Sequence, residues 1–350
     1  MSLARDIADL GAVTSRLDTL GASNRNVLVN GSMSVAQRGI SSTGVGASHG
    51  YFTCDRWKYY TSGTAGRVTL TQDSSGPSGF ANSFKIATTT ADTSIAASEQ
   101  VMLIQRIEGL NLQHFKKGTS DALPWTLSFY VKGNASATYV AELMDADNSD
   151  RHVNKQFTVG TNWSRVVIEF PADTTGAIDD DSSASIDLQI ILHSGSTFTS
   201  GTLQETWGAL NQANRAVGIS SILDSTARTF FITGVQLEAG SVTDFEHEPY
   251  SVTLAKAQRY FYSWTSSGLT DNLYIRSPYA SGTPPNTSAS VAYTFPVTMR
   301  ANPTMTALTG SAVSNLNRFT SSIHNATAQQ ASTSSNSALS LDTWTADAEL

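Results

Sequence analysis

Trp125-Thr126-Leu127-Ser128-Phe129-Tyr130-Val131 and Thr138-Tyr139-Val140-Ala141-Glu142-Leu143-Met144 are two short runs rich in aromatic and β-branched residues, and Asp145-Ala146-Asp147-Asn148 follows them as a turn. In the first run apolar side chains recur at every second position, the period that buries one face of a strand. Similar β-rich runs mark candidate strands at 27–35, 52–60, 67–72, 83–88, 164–170, 186–192 and 229–237. Turn clusters such as Asp73-Ser74-Ser75-Gly76-Pro77 separate them. About nine strands with no repeating helix between them predict an antiparallel β-sandwich of jelly-roll type, not a parallel α/β sheet. Helix-compatible stretches are confined to 109–115, 206–217 and 253–258. Glu246-His247-Glu248-Pro249-Tyr250 reads as a boundary, and 259–264, 273–279, 290–297 and 304–308 read as strands of a second, smaller β domain. The stretch 311–340, dominated by Ser, Asn, Thr and Ala, reads as disordered on its own, so its order would call for contacts from outside one chain.

The first residues follow a different rule. Leu3, Leu10 and Leu17 recur every seven positions, with Ile7 and Thr14 at the alternate heptad site, and Gly21-Ala22-Ser23-Asn24 closes the segment. This predicts a short amphipathic α-helix. Two and a half heptads are too few to hold an oligomer alone. The segment therefore reads as an anchoring or trimerisation piece, with a helix docked on its own domain as the alternative. The expected division is 1–24, 25–250 and 251–350.

The chain has 350 residues, and 22 Lys+Arg against 29 Asp+Glu leave a net charge of −7. Only 15% is charged, against roughly 25% in an average domain. Ser and Thr make up about a quarter of the chain, giving a surface that is polar without being strongly ionic. The acidic balance and scattered basic residues argue against a nucleic-acid partner. Cys54 is the single cysteine, which excludes an intrachain disulfide and a Cys-based zinc site. No apolar run approaches the ~18–20 residues that span a bilayer, and no secretory h-region opens the sequence. Synthesis in a cytoplasm, without membrane insertion, is expected.

Catalytic signatures are absent. There is no Gly-x-Ser-x-Gly elbow or P-loop, and the glycines of Gly44–Gly50 have the wrong spacing for a dinucleotide site. The six histidines lack a second His at metal-ligand spacing. Neither a cofactor nor an enzyme is expected. Asp145, Asp147 and Asp150 are weak calcium candidates, as is Asp179-Asp180-Asp181. The first loop lacks the central Gly of an EF-hand, and Gln156 stands where its closing Glu would be. Glu246 and Glu248 would share a face of an extended segment, with His247 opposite, as a strand end facing solvent. Aromatic residues offer more. On the 52–60 strand Asp55, Trp57 and Tyr59 would line one face, and Arg56, Lys58 and Tyr60 the other. Core is the ordinary fate of such rings. An exposed ring beside planar polar groups suits a pyranose, which makes Trp57, Tyr59, Tyr60, Tyr262 and Trp264 the carbohydrate candidates.

Six strings in order carry a resemblance. They are Asn26-Val27-Leu28-Val29-Asn30-Gly31 running to Gln37-Arg38-Gly39, Asp55-Arg56-Trp57, Gln105-Arg106-Ile107-Glu108-Gly109, Leu127–Lys132, Ile232–Gly240 running through Phe245–Tyr250 to Gln258-Arg259-Tyr260-Phe261, and Phe295–Arg300. Together, over about 26–300, they resemble a module common in bacteriophage and prophage tail fibre and minor virion structural proteins. Ala257 and Glu248 depart from the family's usual Cys and Arg. The resemblance implies a jelly-roll, carbohydrate-binding-like domain in a homotrimeric fibre on the outside of a virion, made in a host bacterial cytoplasm. The expected function is a tail fibre that binds host surface glycan. Its N-terminus, through Leu3, Ile7, Leu10 and Leu17, would meet other tail proteins such as an adaptor, tail tube or baseplate. The alternatives are a head fibre, decoration or tail-connector subunit without receptor contact, and a polysaccharide depolymerase, for which the long β-helical repeat is missing.

Overall fold

A computed structural model of the chain describes residues 24–265, 273–276, 288–309, 316–331, 338–341 and 343–350. Leu3, Ile7, Leu10 and Leu17 lie outside the described residues. The alternating runs become the strands β1 (Ser41–Val45), β2 (Gly50–Tyr51), β3 (Lys58–Ser62), β4 (Arg67–Asp73), β5 (Ser83–Thr90), β6 (Gln100–Glu108), β7 (Trp125–Gly133), β8 (Ala137–Asp145), β9 (Arg151–Val159), β10 (Ser164–Phe170), β11 (Ala184–Ser194) and β12 (Thr229–Ala239). They form two six-stranded sheets, β1-β4-β5-β12-β7-β10 and β2-β3-β6-β11-β8-β9. Each pairing within them is antiparallel. The fold is thus mainly β, a sandwich of the jelly-roll kind.

Inward-facing positions interdigitate between the sheets, as alternation requires. Leu127, Phe129 and Val131 of β7 share one core with Tyr139, Ala141 and Leu143 of β8. Phe129 meets Phe157 edge-on at 5.0 Å, and Phe115 stacks on Trp125 at 3.7 Å. After the sandwich come the helix α2 (Tyr250–Gln258) and strands β13 (Phe261–Thr265), β14 (Leu273–Arg276), β15 (Ser288–Thr294), β16 (Thr304–Thr309), β17 (Leu316–Ser321), β18 (Asn325–Ala331), β19 (Ala338–Leu341) and β20 (Thr343–Asp347); α1 (Ser196–Thr199) precedes β12. These later strands pair as β13-β20-β16, β14-β19 and β15-β18-β17. No helix among the described residues is long and apolar enough to cross a membrane.

Several expectations need correction. The 27–35 segment is no strand, because Asn30 and Met33 take left-handed φ angles of 60° and 57°. Instead of a neighbouring backbone, the Gln105 side chain donates to the Val29 carbonyl at 3.0 Å and accepts from its N–H at 2.7 Å. The 52–60 strand starts only at Lys58, since Arg56 has φ 72°. Strand β6 escapes alternation because it is buried on both faces, and a continuous apolar run has no period to read. The helical possibilities at 109–115 and 206–217 shrink to isolated 3₁₀ turns. Within the tail read as disordered, β17, β18 and β19 are formed, and Ala326 and Ala328 are buried in one cluster with Trp344. The alanines pack there against the large side chains of Tyr262, Phe295, Met299 and Trp344 of the same chain.

Several of the strings that carried the resemblance turn out to be joints, while Leu127–Lys132 is the core of β7. Gly31 and Gly109 have no room for a side chain: a Cβ would lie 2.1 Å from the Val235 carbonyl oxygen and 1.9 Å from that of Asp179. Asn30 donates to the carbonyls of Val35 (2.9 Å) and Asp55 (3.0 Å), and its own carbonyl accepts from the Trp57 indole at 3.1 Å. The charged members tie the sandwich to the C-terminal strands. Buried Arg56 pairs with Glu349, lies 3.4 Å over the Tyr260 ring, and donates to the Arg106 carbonyl at 2.6 Å. Glu108, fully buried, accepts two bonds from Arg259 (3.0 and 2.7 Å) and one from the Tyr260 hydroxyl. Arg38 reaches Asp347 (3.2 Å), Glu349 (3.3 Å) and Asp55 (3.7 Å), and Gln37 donates to the Phe261 carbonyl at 2.7 Å.

Removing one partner from such a network strands a charge away from water, a cost of about 3–5 kcal/mol. Arg56→Met should therefore destabilise the protein by about that amount. Hydrogen exchange should show protection lost first in β13, β16 and β20. An unchanged denaturation midpoint with unchanged exchange there would rule out the joint as a support of the fold.

Candidate functional site

The second sheet has a partly covered outer face. On β6, Val101, Leu103 and Ile107 enter the sandwich core, so Met102, Ile104 and Arg106 face outward. The long connection from β11 to β12 folds back over this face. Its backbone is fastened by Gly195 N–H to Glu99 (2.8 Å), Thr197 N–H to Ala97 (3.0 Å) and Ser220 N–H to Thr138 (2.8 Å). Phe198 and Ala216 from the connection pack on Met102, Ile104, Val140 and Ile191, closing half of the surface.

Arg215 makes the wall of what stays open. It is 5% exposed and grips Glu142 with Nε at 2.9 Å and Nη2 at 2.6 Å, while Nη2 also reaches Gln189 Oε1 at 2.9 Å. His152 Nε2 accepts the Asn211 N–H at 3.3 Å, which leaves the ring proton on Nδ1 for Glu142, 3.0 Å away. Burial by itself raises the Glu142 pKa, but Arg215 and His152 outweigh it and hold the carboxyl below its ordinary range.

Beside this wall lies a cleft of about 400 Å³, lined by Tyr60, Met144, Asp150, Asp187 and Gln189 among others. Besides Arg106 Nε, which faces Asp187 only as an ion pair, two buried polar atoms at its lining have no hydrogen-bond partner: the Gln100 amide nitrogen, on a side chain in a residue 5% exposed, and Asp187 Oδ1, in a residue 9% exposed. One is a donor and the other an acceptor, and a buried group of either kind is costly when unmatched. The other Asp187 oxygen is 3.4 Å from Arg106 Nε. Burial pushes the Asp187 carboxyl up to about 6, with Arg106 opposing the rise. Lys58, on the adjacent strand, is held below the usual lysine value by burial and by the Arg106 charge. Tyr60 supplies a half-buried ring, and His49 stacks on it at 5.3 Å and 14°.

Only one of the five carbohydrate candidates reaches this cleft. Trp57 and Tyr59 are core residues, because the alternation that points Tyr60 outward points Tyr59 into the sandwich. Tyr262 is buried and its hydroxyl is paired with that of Tyr293. Trp264 is half-buried, stacked 6.1 Å from Trp344. The polar members Gln100, Arg106, Asp187 and Gln189 were missed, since they sit on strands whose outer faces sequence alone does not distinguish.

The calcium candidates do not converge. Asp145 is buried against the Lys117 ammonium, which also meets Asp173 at 3.2 Å and the carbonyls of Thr175 (2.9 Å) and Gly176 (2.8 Å). Lysine has taken the oxygens that a cation would need. Asp147 accepts the Asp179 N–H at 3.0 Å, while Asp150 is exposed at the cleft. Asp181 is turned to its own loop, accepting from the N–H and hydroxyl of Ser183. Among the described residues no group of three or more His, Cys, Asp or Glu could hold a metal. Glu246 is no solvent-facing strand end, for it accepts the N–H groups of Asn24, Arg25 and Asn26 at 2.7, 2.8 and 3.2 Å. Glu248 pairs with Lys256. His193 links Ser221 Oγ (2.7 Å) to Glu99 (3.2 Å), but the ring is fully buried and the serine oxygen accepts the Leu223 N–H.

No protein-family model and no curated protein matches the chain. Among solved structures, the enzymatically active domain of tailspike protein 4 of bacteriophage CBA120 is similar at a TM-score of 0.32 and 14% identity, covering 61% of this chain and 21% of that one. The chain thus spans about a fifth of that tailspike's length. TmCBM61, in complex with β-1,4-galactotriose, is similar at a TM-score of 0.32 and 10% identity over 62% of this chain and 99% of that one. A family 11 carbohydrate-binding module from Clostridium thermocellum, in complex with a β-1,3-1,4-mixed-linked tetrasaccharide, gives 0.29 and 12%, covering 54% and 91%.

Asp187 makes the cleft sensitive to pH. A carboxyl with a folded pKa above its unfolded one favours folding while protonated, so its contribution is full below about 4 and is lost as pH rises through about 6. Asp187→Asn lacks this loss. Its stability relative to wild type should rise across that window by up to about 3 kcal/mol, read from urea midpoints. A pH-independent difference would show that Asp187 is not the buried acid described.

Proposed function

We propose that this protein is a virion structural protein, a tail fibre subunit, that binds a host surface glycan in the cleft on the second sheet. The observation that carries the reading is the pair of unmatched buried atoms, Gln100 Nε2 and Asp187 Oδ1, beside the Tyr60 ring and the apolar Met102, Ile104 and Met144. A sugar hydroxyl donates and accepts, so separate hydroxyls of an extended glycan can satisfy the two atoms, which the register sets about 20 Å apart along the sheet, while the C–H side of a pyranose packs on ring and methionine. Arg215 and Glu142 contribute by holding the wall rigid before ligand arrives, which lowers the ordering cost of binding.

The ordered strings of the resemblance support the phage assignment. The 1–24 segment is assigned to attachment and to a homotrimer, and the external virion surface is the proposed location. A trimer would multiply a weak site through avidity. A head fibre or decoration subunit would share the fold without using the cleft.

Binding to a panel of host polysaccharides tests the reading. Tyr60→Ala should weaken it about fivefold to thirtyfold, the worth of one stacking contact of about 1–2 kcal/mol, and Asp187→Ala by at least as much. Absence of binding to host glycans, or variants that bind as wild type, would refute it. One observation favours a second reading as a depolymerase: the cleft also holds Asp150, and a carboxyl lifted to about 6 like Asp187 has the character of a general acid. Release of reducing ends, abolished in Asp187→Asn, would establish hydrolysis; binding without release would exclude it.

A further inference from the structure

The outer face of the first sheet carries a different chemistry. Register places Thr71 opposite Lys85, Lys85 opposite Phe231, and Phe231 opposite Lys132, in one row across β4, β5, β12 and β7. Thr233, Tyr130 and Arg165 form the next row, across β12, β7 and β10. Trp163, just before β10, stands edge to face with Phe231 at 6.1 Å. Three cations and three rings thus share one face of a chain whose net charge is −7. Neighbouring strands are about 4.8 Å apart, so Lys85 and Lys132, two strands removed, stand about 10 Å from each other.

The cations are only partly neutralised. Lys132 lies 4.6 Å from the centre of Phe231 and 5.1 Å from that of Trp163, and among the described residues no carboxylate pairs with it. Lys85 is 5.1 Å from the Phe231 ring and 3.3 Å from Asp73 at the margin. Arg165 donates to the Thr243 carbonyl and faces Asp244 at 3.7 Å, on a side chain fully open to solvent. An ammonium over an aromatic ring keeps its full charge, because the ring offers a quadrupole and no counter-ion. Such a row is matched by a ligand with an apolar face for the rings and an anionic substituent for the cations.

We propose that this face is a second saccharide-binding surface, selective for acidic glycans carrying carboxylate or phosphate groups. Lys132, Lys85 and Arg165 meet the anionic substituents, and Trp163, Phe231 and Tyr130 meet the sugar rings. A nucleic acid fits less well. Three cations on one face fall short of the continuous basic stripe that nucleic-acid binding draws on. The surface is independent of the cleft, which lies on the opposite sheet.

The test uses the full chain with polygalacturonate as the uronate probe, a phosphomannan as the phosphate probe, a neutral glucan, and single-stranded DNA. At least one acidic polymer should bind more tightly than the neutral glucan, and raising salt from about 0.05 to about 0.5 M should weaken it by about tenfold or more. Which acidic polymer responds identifies the substituent. The double variant Lys85→Gln/Lys132→Gln should lower affinity about tenfold, since each exchange removes a charge-assisted contact, while Lys132→Arg retains binding. Asp187→Ala and Tyr60→Ala should leave it unchanged, so failure of the cleft reading remains distinguishable from failure of this one. The proposal is overturned if neither acidic polymer binds at low salt, if the double variant binds as wild type, or if DNA binds as tightly as the acidic glycan.

Discussion

A buried charge cannot be left alone, and that constraint organises this molecule. Arg56 and Glu108 lie in the protein interior, where each must find an opposite charge at short range. Their partners, Glu349 and Arg259, come from beyond the sandwich. The sandwich therefore presents charged sockets that only the C-terminal part of the chain fills. Arg38 adds a second layer by spanning Asp55, Asp347 and Glu349. Such a joint is demanding in geometry: misplacement of one side chain strands its partner without compensation. That demand accounts for joints built from Arg in particular, whose planar fork grips a carboxylate at two points, as Arg259 grips Glu108.

The same physics recurs in the cleft with a different outcome. Arg215 and Glu142 are matched, so that wall is complete without a ligand. Gln100 and Asp187 are not matched, and the deficit faces an open space instead of the C-terminal strands. Satisfied polar groups mark joints, and unsatisfied ones beside a cavity mark a surface awaiting a partner. Lys117 is the intermediate case. Its cluster of two carboxylates and two carbonyl oxygens is saturated by a side chain of the chain itself.

The two sheets divide their outer faces by what covers them. The second sheet is roofed in part by the connection carrying Phe198 and Ala216, which deepens the remainder into a cleft. Across the first sheet, the row through Lys85, Phe231 and Lys132 carries cations beside rings. A row of cations and rings suits an acidic polymer, and a roofed polar cleft suits a few sugar rings. Neither property belongs to a strand taken singly.

Much of the sandwich was legible, because alternation is a local signal: Trp125–Gly133 puts an apolar side chain at every second position of its inner face, and Ser164–Phe170 buries one face and exposes the other. Where both faces are buried, as in Gln100–Glu108, the period vanishes and the strand goes unread. Left-handed residues such as Asn30 and Arg56 break an apparent strand, and only the bonds made by their neighbours explain why they are tolerated. By itself, then, the sequence determined the all-β class, the approximate strands, the acidic low-charge surface and the ordered strings of the resemblance. Tertiary structure alone decided that several of those strings are joints, that Tyr60 opens on a cleft while Trp57 and Tyr59 fill the core, and that Asp145 serves Lys117. The physical reason is range. Periodicity acts over neighbouring residues, whereas Arg56 and Glu349, or Glu108 and Arg259, meet only after the strands have packed.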